Sequence, residues 1–429
     1  MQLVVTIYEE TFEAALDAIR ALALDHDMIE LRAEKFGAID LHALRAATRK
    51  PIILTHRGMR VDVARDAIAA GIDFVDVEWS DDVAIAIPER TVLSHHDYEG
   101  MRDVEAIFAN MLARGCAHTK LAATPQDFAD NERLLALRPT ANGQRPTIIG
   151  MGERGLYARV LAPFRGSQLT FVAGGAVAAP AQLTLERALA IYGPTRANLR
   201  AEKVFAIVGN PAGHSLSPTI HNALFREKGV PGAYTIASIA SFDEITDAFL
   251  RGEPCGISIT APFKEGAFAF AQRIDAEIGE NARACGAVNT LVNYGTHVLA
   301  DNTDVDGFAA ILREICGRDR KSVALVGAGG TARAALTALQ REQMHVMVFN
   351  RTPGKLGAHP LDELPRFDGE VVINTLPVDI DIAIKPGMTY IEAKYGQRPT
   401  ANGQRPDFTG IDLLHAQAKR QHELFMRIF

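Results

Sequence analysis

Lys120 sits in an otherwise apolar run, HTKLA, and an earlier run, TVLSHHD, closes on His96. A lysine in apolar surroundings has its ammonium disfavoured by desolvation, and cations such as Arg57 and Arg159 nearby would act in the same direction. The expectation is a depressed pKa and a neutral amine, the form that attacks a ketone to make a Schiff base. Histidine, with an ordinary pKa of about 6.5, would be the proton shuttle beside it. Read alone, a lysine in a strand is more often a surface group whose head reaches water, and a His-His pair is more often loop polarity.

A second set lies in the other half of the chain. SVALVGAGGTARAAL reads as a strand, a glycine loop (Gly327, Ala328, Gly329, Gly330) and a helix start, a context that suits a pyrophosphate at the helix N-terminus. After the next strand an enzyme that uses NAD would carry an acid for the ribose. This sequence has Asn350, Arg351 and Thr352, and the arginine suits a 2′-phosphate, so NADP is expected. The plainer alternative is a Rossmann unit that binds no nucleotide. Upstream, GNPAGHSLSP offers the hydroxyls of Ser215 and Ser217, with the spacing to grip a carboxylate. SITAPFKEGA brings Thr260 and Lys264, GAVNT brings Asn289, and DNTDVDGF brings Thr303 and Asp304. A lysine–carboxylate pair at a secondary hydroxyl can relay a proton while hydride leaves to a nicotinamide. Singly these are bland, since an aspartate in DVDG is usually a turn former.

The elements that must position these groups are strands alternating with helical stretches. Predicted strands run over 3–8, 28–32, 51–57, 74–79, 91–97, 118–122, 147–151 and 169–173, with helical spacing at 11–24, 61–70 and 104–113 among others. Eight such units predict an α/β fold beginning with a (β/α)₈ TIM barrel, short of the usual ~250 residues. An open doubly wound sheet is the runner-up, but no glycine-rich loop follows any of these strands. In the barrel, chemistry belongs at the C-terminal strand ends. There Glu30 and Arg32 share a face by period-2 alternation, Arg57 and Met151 close their strands, and Arg159 starts the next helix. After a Gly/Pro/Asn-rich break at 192–200, a second βα unit opens at 204, a third at 322, and residues 411–429 read as a helix. The nonapeptide RPTANGQRP occurs twice, at 138–146 and 398–406, as loop sequence.

Composition sets outer limits. A chain of 429 residues has room for two or three domains, and a net charge of −7 argues against nucleic acid or an anionic membrane as a main partner. Four scattered cysteines without CxxC spacing fit a reduced compartment, with neither a disulfide framework nor a metal site. No basic n-region opens the chain and no apolar run reaches the length of a membrane span, so a soluble, cytoplasmic protein is expected.

The set ELRAE, SHHD, the lysine of HTKLA, MGERGLYARV, LTF and AAPAQ resembles the type I 3-dehydroquinate dehydratases over residues 1 to about 190. The resemblance makes Lys120 the imine-forming residue and His96 the general acid/base. It places Glu30, Arg32, Arg57 and Arg159 around the substrate, with Met151, Phe171 and Gln182 lining the pocket. Two positions depart from that family: Val61 replaces a usual Glu, and Ala178 a usual Ser. HSLSP, PFK, GAVNT, DNTD, GAGG and NRT, in this order, closely resemble the shikimate dehydrogenases over 203–429. That match implies Lys264 and Asp304 as the catalytic pair. Ser215, Ser217, Thr260, Asn289, Gln417 and Tyr395 become substrate residues, and Asn374 joins the glycine loop and Asn350–Thr352 on the cofactor side.

Together the two resemblances imply a dehydratase barrel at 1–195, a substrate-binding domain at 203–305 completed by 408–429, and a Rossmann nucleotide domain at 306–407. The implied ligands are 3-dehydroquinate, 3-dehydroshikimate, shikimate and NADP, with no metal. A quinate-preferring dehydrogenase and a metabolite sensor built on the same domains are the rival readings. Both carboxylate-gripping serines argue against the first, and the retained Lys120, His96, Lys264 and Asp304 argue against the second.

Overall fold

The computed structural model describes every residue except 138–145, 197, 198, 318, 377, 379–381, 395–399, 401 and 402. Tyr395, nearly all of the first nonapeptide copy and part of the second therefore lie outside the described residues. Two compact units emerge: Met1–Ala206 with Pro211–Ile245, and Ile207–Asn210 with Thr246–Phe429.

The first unit opens with eight parallel strands: β1 (Gln2–Ile7), β2 (Met28–Arg32), β3 (Ile52–Thr55), β4 (Phe74–Glu78), β5 (Thr91–Asp97), β6 (His118–Ala123), β7 (Thr147–Gly150) and β8 (Leu169–Ala173). Their order is β7-β6-β5-β4-β3-β2-β1-β8, a nearly closed barrel. The strands are Val/Ile/Leu-rich because most are covered on both faces, as parallel barrel strands are. The ladder stops between β7 and β8. One backbone bond, from Gln168 N to Pro146 O at 3.1 Å, and side chains bridge that seam: Leu169 N donates to Thr147 Oγ1 at 3.2 Å and Ile148 N to Ser167 Oγ at 3.1 Å.

Outside the barrel run α1 (Phe12–Ala21), α2 (Leu41–Ala47), α3 (Val61–Ala69), α4 (Val104–Ala113), α5 (Phe128–Ala136), α6 (Leu156–Leu161) and α7 (Leu185–Tyr192). Thr11, Asp40, Asp127 and Thr184 cap four of them through side-chain oxygens, each worth about 1 kcal/mol. The expectation of eight complete βα units is corrected at one place. Between β4 and β5 lies only a 3₁₀ turn, Pro88–Arg90, and Trp79, Val83 and Ile85 pack over the core where a helix would sit. Inside, Val4, Met28, Ile53, Val92 and Leu169 belong to an apolar plug. Two residues further along four of these strands the inward positions become polar, as Thr6, Glu30, Thr55 and Ser94, joined by Asp76 and Lys120, while the fifth carries Phe171.

Unit one continues with α8 (Ser217–Lys228) and β10 (Gly232–Ser238), which follow β9 (Lys203–Gly209). β9 and β10 belong to a six-stranded sheet in the order β10-β9-β11-β13-β14-β12, with β11 (Gly256–Ile259), β12 (Glu277–Ile278), β13 (Thr290–Asn293) and β14 (Val298–Asp301). A five-stranded parallel sheet follows in the order β17-β16-β15-β18-β19, made of β15 (Ser322–Val326), β16 (His345–Asn350), β17 (His359–Pro360), β18 (Val371–Asn374) and β19 (Thr389–Glu392). Among the helices that follow are α9 (Asp243–Leu250) and α11 (Glu280–Cys285), and three others frame the second unit's site: α10 (Lys264–Arg273), α12 (Asp304–Cys316) and α13 (Gly330–Arg341). The last helix, α14 (Gly410–Met426), starts in a Thr409–Asp412 capping box and packs against α12. Gly307 permits that approach, since a Cβ there would lie 3.0 Å from Gln417 Cβ. Among the described residues no helix is long and apolar enough to cross a membrane.

Candidate active sites

In the barrel, Lys120 Nζ donates to Asp76 Oδ2 at 2.7 Å and lies 3.8 Å from Glu30 Oε1. All three residues are buried. The second Asp76 oxygen accepts from Ser94 Oγ at 2.6 Å, and Glu30 accepts from the hydroxyls of Thr6 at 2.8 Å and Thr55 at 2.9 Å. The Phe171 ring, 4.6 Å from Nζ, forms an apolar wall. Burial would depress the ammonium's pKa, but the carboxylates of Asp76, Glu30 and Glu78 outweigh it and the pKa is raised. Asp76 shows the converse: burial opposes its charge, yet Lys120 and the hydrogen bonds hold its pKa below the usual range.

The expected depression is thus corrected, because the charges that act on Lys120 are the acids Asp76, Glu30 and Glu78 rather than the two arginines. Arg57 is exposed beyond the end of β3, bonded to the Tyr98 hydroxyl. Arg159 lies inside α6 and donates through Nε to Gly150 O at 2.8 Å. Asp76→Asn removes the nearest opposing charge, so the amine should deprotonate at lower pH. Borohydride trapping of a ketone on Lys120 as a function of pH should then shift toward acid by at least about one unit. An unmoved profile would remove Asp76 from the proton balance.

His96 is oriented by Glu78, which bonds Nδ1 at 2.7 Å and the backbone N at 2.8 Å. Tyr98 stacks on the imidazole at 5.9 Å between centroids. Strand register puts Ser94 beside Lys120, so His96 stands one layer nearer the strand ends. Arg32 binds Glu34 through Nη2 at 2.5 Å and Nε at 3.3 Å. Met151 is buried in the plug, and Gln182 reaches Thr6 Oγ1 at 3.2 Å while accepting from Ala178 N. Arg159 is buried with no carboxylate within ion-pair distance among the described residues, and loss of hydration pulls its pKa down to about 10. Sequence reasoning missed Asp76 and Glu78. Their only signal was two acids at period 2 in FVDVEW, a strand otherwise apolar.

The second unit brings most of the other set together. Lys264, first residue of α10, donates to Asp304 Oδ2 at 2.5 Å and to Thr331 Oγ1 at 3.1 Å. Asp304 opens α12, where the helix N-terminus favours a carboxylate. Its Oδ1 accepts from Asn289 Nδ2 at 2.9 Å. Asn289 is held by Thr303 N and Thr290 Oγ1, and Thr303 Oγ1 donates to Gln417 Oε1 at 2.8 Å. Gln421, also missed in the sequence, ties α14 to Ser258 and Thr290. Thr260 stands in the turn before Lys264, its N–H bonded to Val208 O.

The glycine loop has the shape a dinucleotide needs. Gly327 has φ +115°, and a Cβ there would meet Thr375 Oγ1 at 2.4 Å. Gly330 makes room for Lys264, whose Cβ would be 2.9 Å from an added Cβ, so the lysine stands at the mouth of the loop. Around Gly329, just before α13, nothing lies within 4 Å of an added Cβ. Ala328 is buried, while Arg351 and Thr352 are exposed past the end of β16, and Asn350 Nδ2 bonds Thr352 O. The residues present therefore fit NADP. Asn374 is turned inward, donating to Glu392 and accepting from Leu376 N, so it shapes the loop after β18. Ser215 and Ser217 fall in the first unit, buried, with their Oγ atoms 3.2 Å apart.

Residues 3–197 match the family model of type I 3-dehydroquinase, and residues 207–291 that of the shikimate dehydrogenase substrate binding domain. The chain thus joins a type I 3-dehydroquinase domain and a shikimate dehydrogenase substrate binding domain in one polypeptide, and it is an enzyme. It is similar to a bifunctional 3-dehydroquinate dehydratase/shikimate dehydrogenase of Arabidopsis thaliana, 27% identical over 96% of this chain and 79% of that one. The shikimate biosynthesis protein AroDE of Chlamydia pneumoniae is 27% identical over 86% of this chain and 82% of its own. A solved structure, the dehydroquinate dehydratase and shikimate dehydrogenase of S. pombe AroM, aligns over 99% of this chain and 95% of its own at 22% identity and a TM-score of 0.41.

Proposed function

We propose that the chain dehydrates 3-dehydroquinate to 3-dehydroshikimate and then reduces that product to shikimate. The observation that carries the reading is a close lysine–aspartate pair in each half, Lys120 with Asp76 fully buried and Lys264 with Asp304 partly buried. In the first reaction Lys120, once its proton has passed to a neighbouring carboxylate, adds to the substrate ketone and forms an imine with loss of water. His96 removes the α-proton through Nε2 and returns it to the departing hydroxyl; Glu78 keeps the ring aimed. Arg159, a desolvated guanidinium without a carboxylate of its own, is the socket for the substrate's carboxylate. Arg32, Arg57, Gln182, Met151 and Phe171 complete the pocket, Glu30 anchors the polar layer, and Val61 and Ala178 leave two of the family's polar contacts unmade.

In the second reaction NADPH, when bound, supplies the hydride. Lys264 donates the proton to the carbonyl oxygen and Asp304 holds the lysine, while Ser215 and Ser217 grip the carboxylate. Thr260, Asn289, Gln417 and Tyr395 position the ring. This reading takes 1–195 as the dehydratase, 203–305 with 408–429 as the substrate domain and 306–407 as the nucleotide domain, in a cytoplasmic protein.

Mixing the protein with 3-dehydroquinate and sodium borohydride, then mapping the adduct by peptide mass spectrometry, tests the first half. An adduct on Lys120 supports it, and no adduct in a folded sample sinks it. NADPH consumption with 3-dehydroshikimate tests the second. Arg351→Ala should raise KM for NADPH about 10- to 100-fold, the worth of charge-assisted bonds to a phosphate, and leave KM for NADH nearly unchanged. Equal losses for both cofactors would exclude Arg351 as the 2′-phosphate reader.

A further inference from the structure

The loop that carries Ser215 and Ser217 is not held by its own sequence neighbourhood alone. Glu153, from the MGERG turn after β7, sends one carboxylate oxygen into it. That Oε1 accepts from Gly213 N at 2.6 Å, from Ala212 N at 3.2 Å and from Ser238 Oγ at 2.6 Å. Ser238 Oγ also accepts from Ala212 N at 2.9 Å, so carboxylate, hydroxyl and two amides form one knot. Two residues beyond Gly213 the backbone is caught again, where Arg187 Nη2 on α7 donates to Ser215 O at 2.8 Å. Burial depresses the pKa of Arg187 while the charge of Glu153 supports it, so the two clamping side chains stabilise each other. Gly213 fits this clamp closely. A Cβ there would lie 2.4 Å from Glu153 Oε2, although its backbone is not in the left-handed region.

Glu153 itself cannot easily drift. The turn that presents it packs glycine on glycine, with an added Gly150 Cβ only 2.1 Å from Gly155 O. Arg154 next to it anchors the other side through Glu244 Oε2 at 2.6 Å. Both clamping residues belong to the stretch matched by the type I 3-dehydroquinase model, and the loop they hold belongs to the stretch matched by the shikimate dehydrogenase model.

We propose that Glu153 and Arg187 are positioning residues of the dehydrogenase, supplied by the dehydratase half, which fix the 211–217 loop so that Ser215 and Ser217 meet the carboxylate of 3-dehydroshikimate. The inference rests on the assignment of those serines as the carboxylate grip. A further consequence is that the dehydrogenase half expressed without its barrel would bind this substrate more weakly.

The test uses the full chain. Glu153→Ala should raise KM for 3-dehydroshikimate about tenfold, the worth of a charge-assisted hydrogen-bond cluster, with kcat and KM for NADPH within about twofold. Glu153→Gln keeps a carbonyl oxygen for the same three donors and should restore most of the loss. Gly213→Ala should mimic Glu153→Ala, and the double variant should be no worse than either alone. Hydrogen exchange of the 211–217 peptide should quicken in Glu153→Ala. Unchanged exchange, unchanged KM, or a fall in kcat with a parallel rise in KM for NADPH would each overturn the proposal. A wild-type protein that does not turn over 3-dehydroshikimate would instead sink the reading beneath it, whatever the exchange result.

Discussion

Lys120→Met is expected to lower 3-dehydroquinate turnover by about 10⁴-fold or more, the scale seen when a covalent nucleophile is removed, and to abolish the borohydride adduct. Reduction of added 3-dehydroshikimate should stay within about twofold, since Lys120 has no part in the second reaction as proposed. The single variant also leaves Asp76 buried and unpaired, which costs about 3–5 kcal/mol when one partner of a buried pair is lost. Lys120→Met combined with Asp76→Asn removes that charge together with the nucleophile. The double variant should recover most of the lost thermal stability and none of the dehydratase activity. Residual turnover above about one per cent in a folded single variant would mean that the ketone is not held by this amine.

The second large effect is expected at Lys264. Lys264→Ala should lower dehydrogenase kcat by about 10²- to 10⁴-fold, the usual contribution of a positioned proton donor, with KM for NADPH little changed and the dehydratase intact. Asp304→Asn should act less strongly. Its carboxylate accepts Lys264 on one oxygen and Asn289 on the other, and an amide offers only one acceptor for those two donors. Steady-state rates of NADPH oxidation with saturating 3-dehydroshikimate read both effects. A Lys264→Ala enzyme within threefold of wild type would end the assignment of this pair as the proton relay.

Much of the architecture was legible because buried parallel strands leave a local mark. The runs at 28–32, 91–97, 169–173 and 322–326 coincide with β2, β5, β8 and β15, and the glycine loop falls between a strand and a helix as its motif requires. Chemistry that depends on partners from distant strands was harder to read. The sequence neighbours of Lys120 are apolar, whereas its pKa is set by Asp76 and Glu30, which lie 44 and 90 positions away and meet it only through barrel register. The alternation in FVDVEW is visible, but a strand covered on both faces does not say which face looks inward. The gap after β4 was hidden for a related reason. Residues 83–87 are apolar enough to resemble part of a helix, and Pro88 holds the chain to a single 3₁₀ turn. In the second unit the motifs themselves were plain, yet Thr331 and Gln421, which brace them, come from helices that no motif connects to Lys264 or Asn289. Glu153 was hidden for the same reason, since nothing in MGERG points to a loop some 60 residues downstream.

The Asp76–Lys120 contact has a meaning beyond the resting enzyme. Raising the amine's pKa slows the release of the free nucleophile and so works against the first step of the proposed reaction. Once the imine has formed, however, its nitrogen is protonated and carries the same unit of positive charge at nearly the same place. A pocket whose carboxylates and hydroxyls are already arranged around an ammonium needs little reorganisation to hold that iminium, and fixed dipoles of this kind are the largest electrostatic aid a site can offer. The iminium is what draws electrons away from the α-carbon when its proton leaves. The acids around Lys120 therefore hinder the attack and favour the elimination, moving the highest barrier toward the step that joins substrate to enzyme.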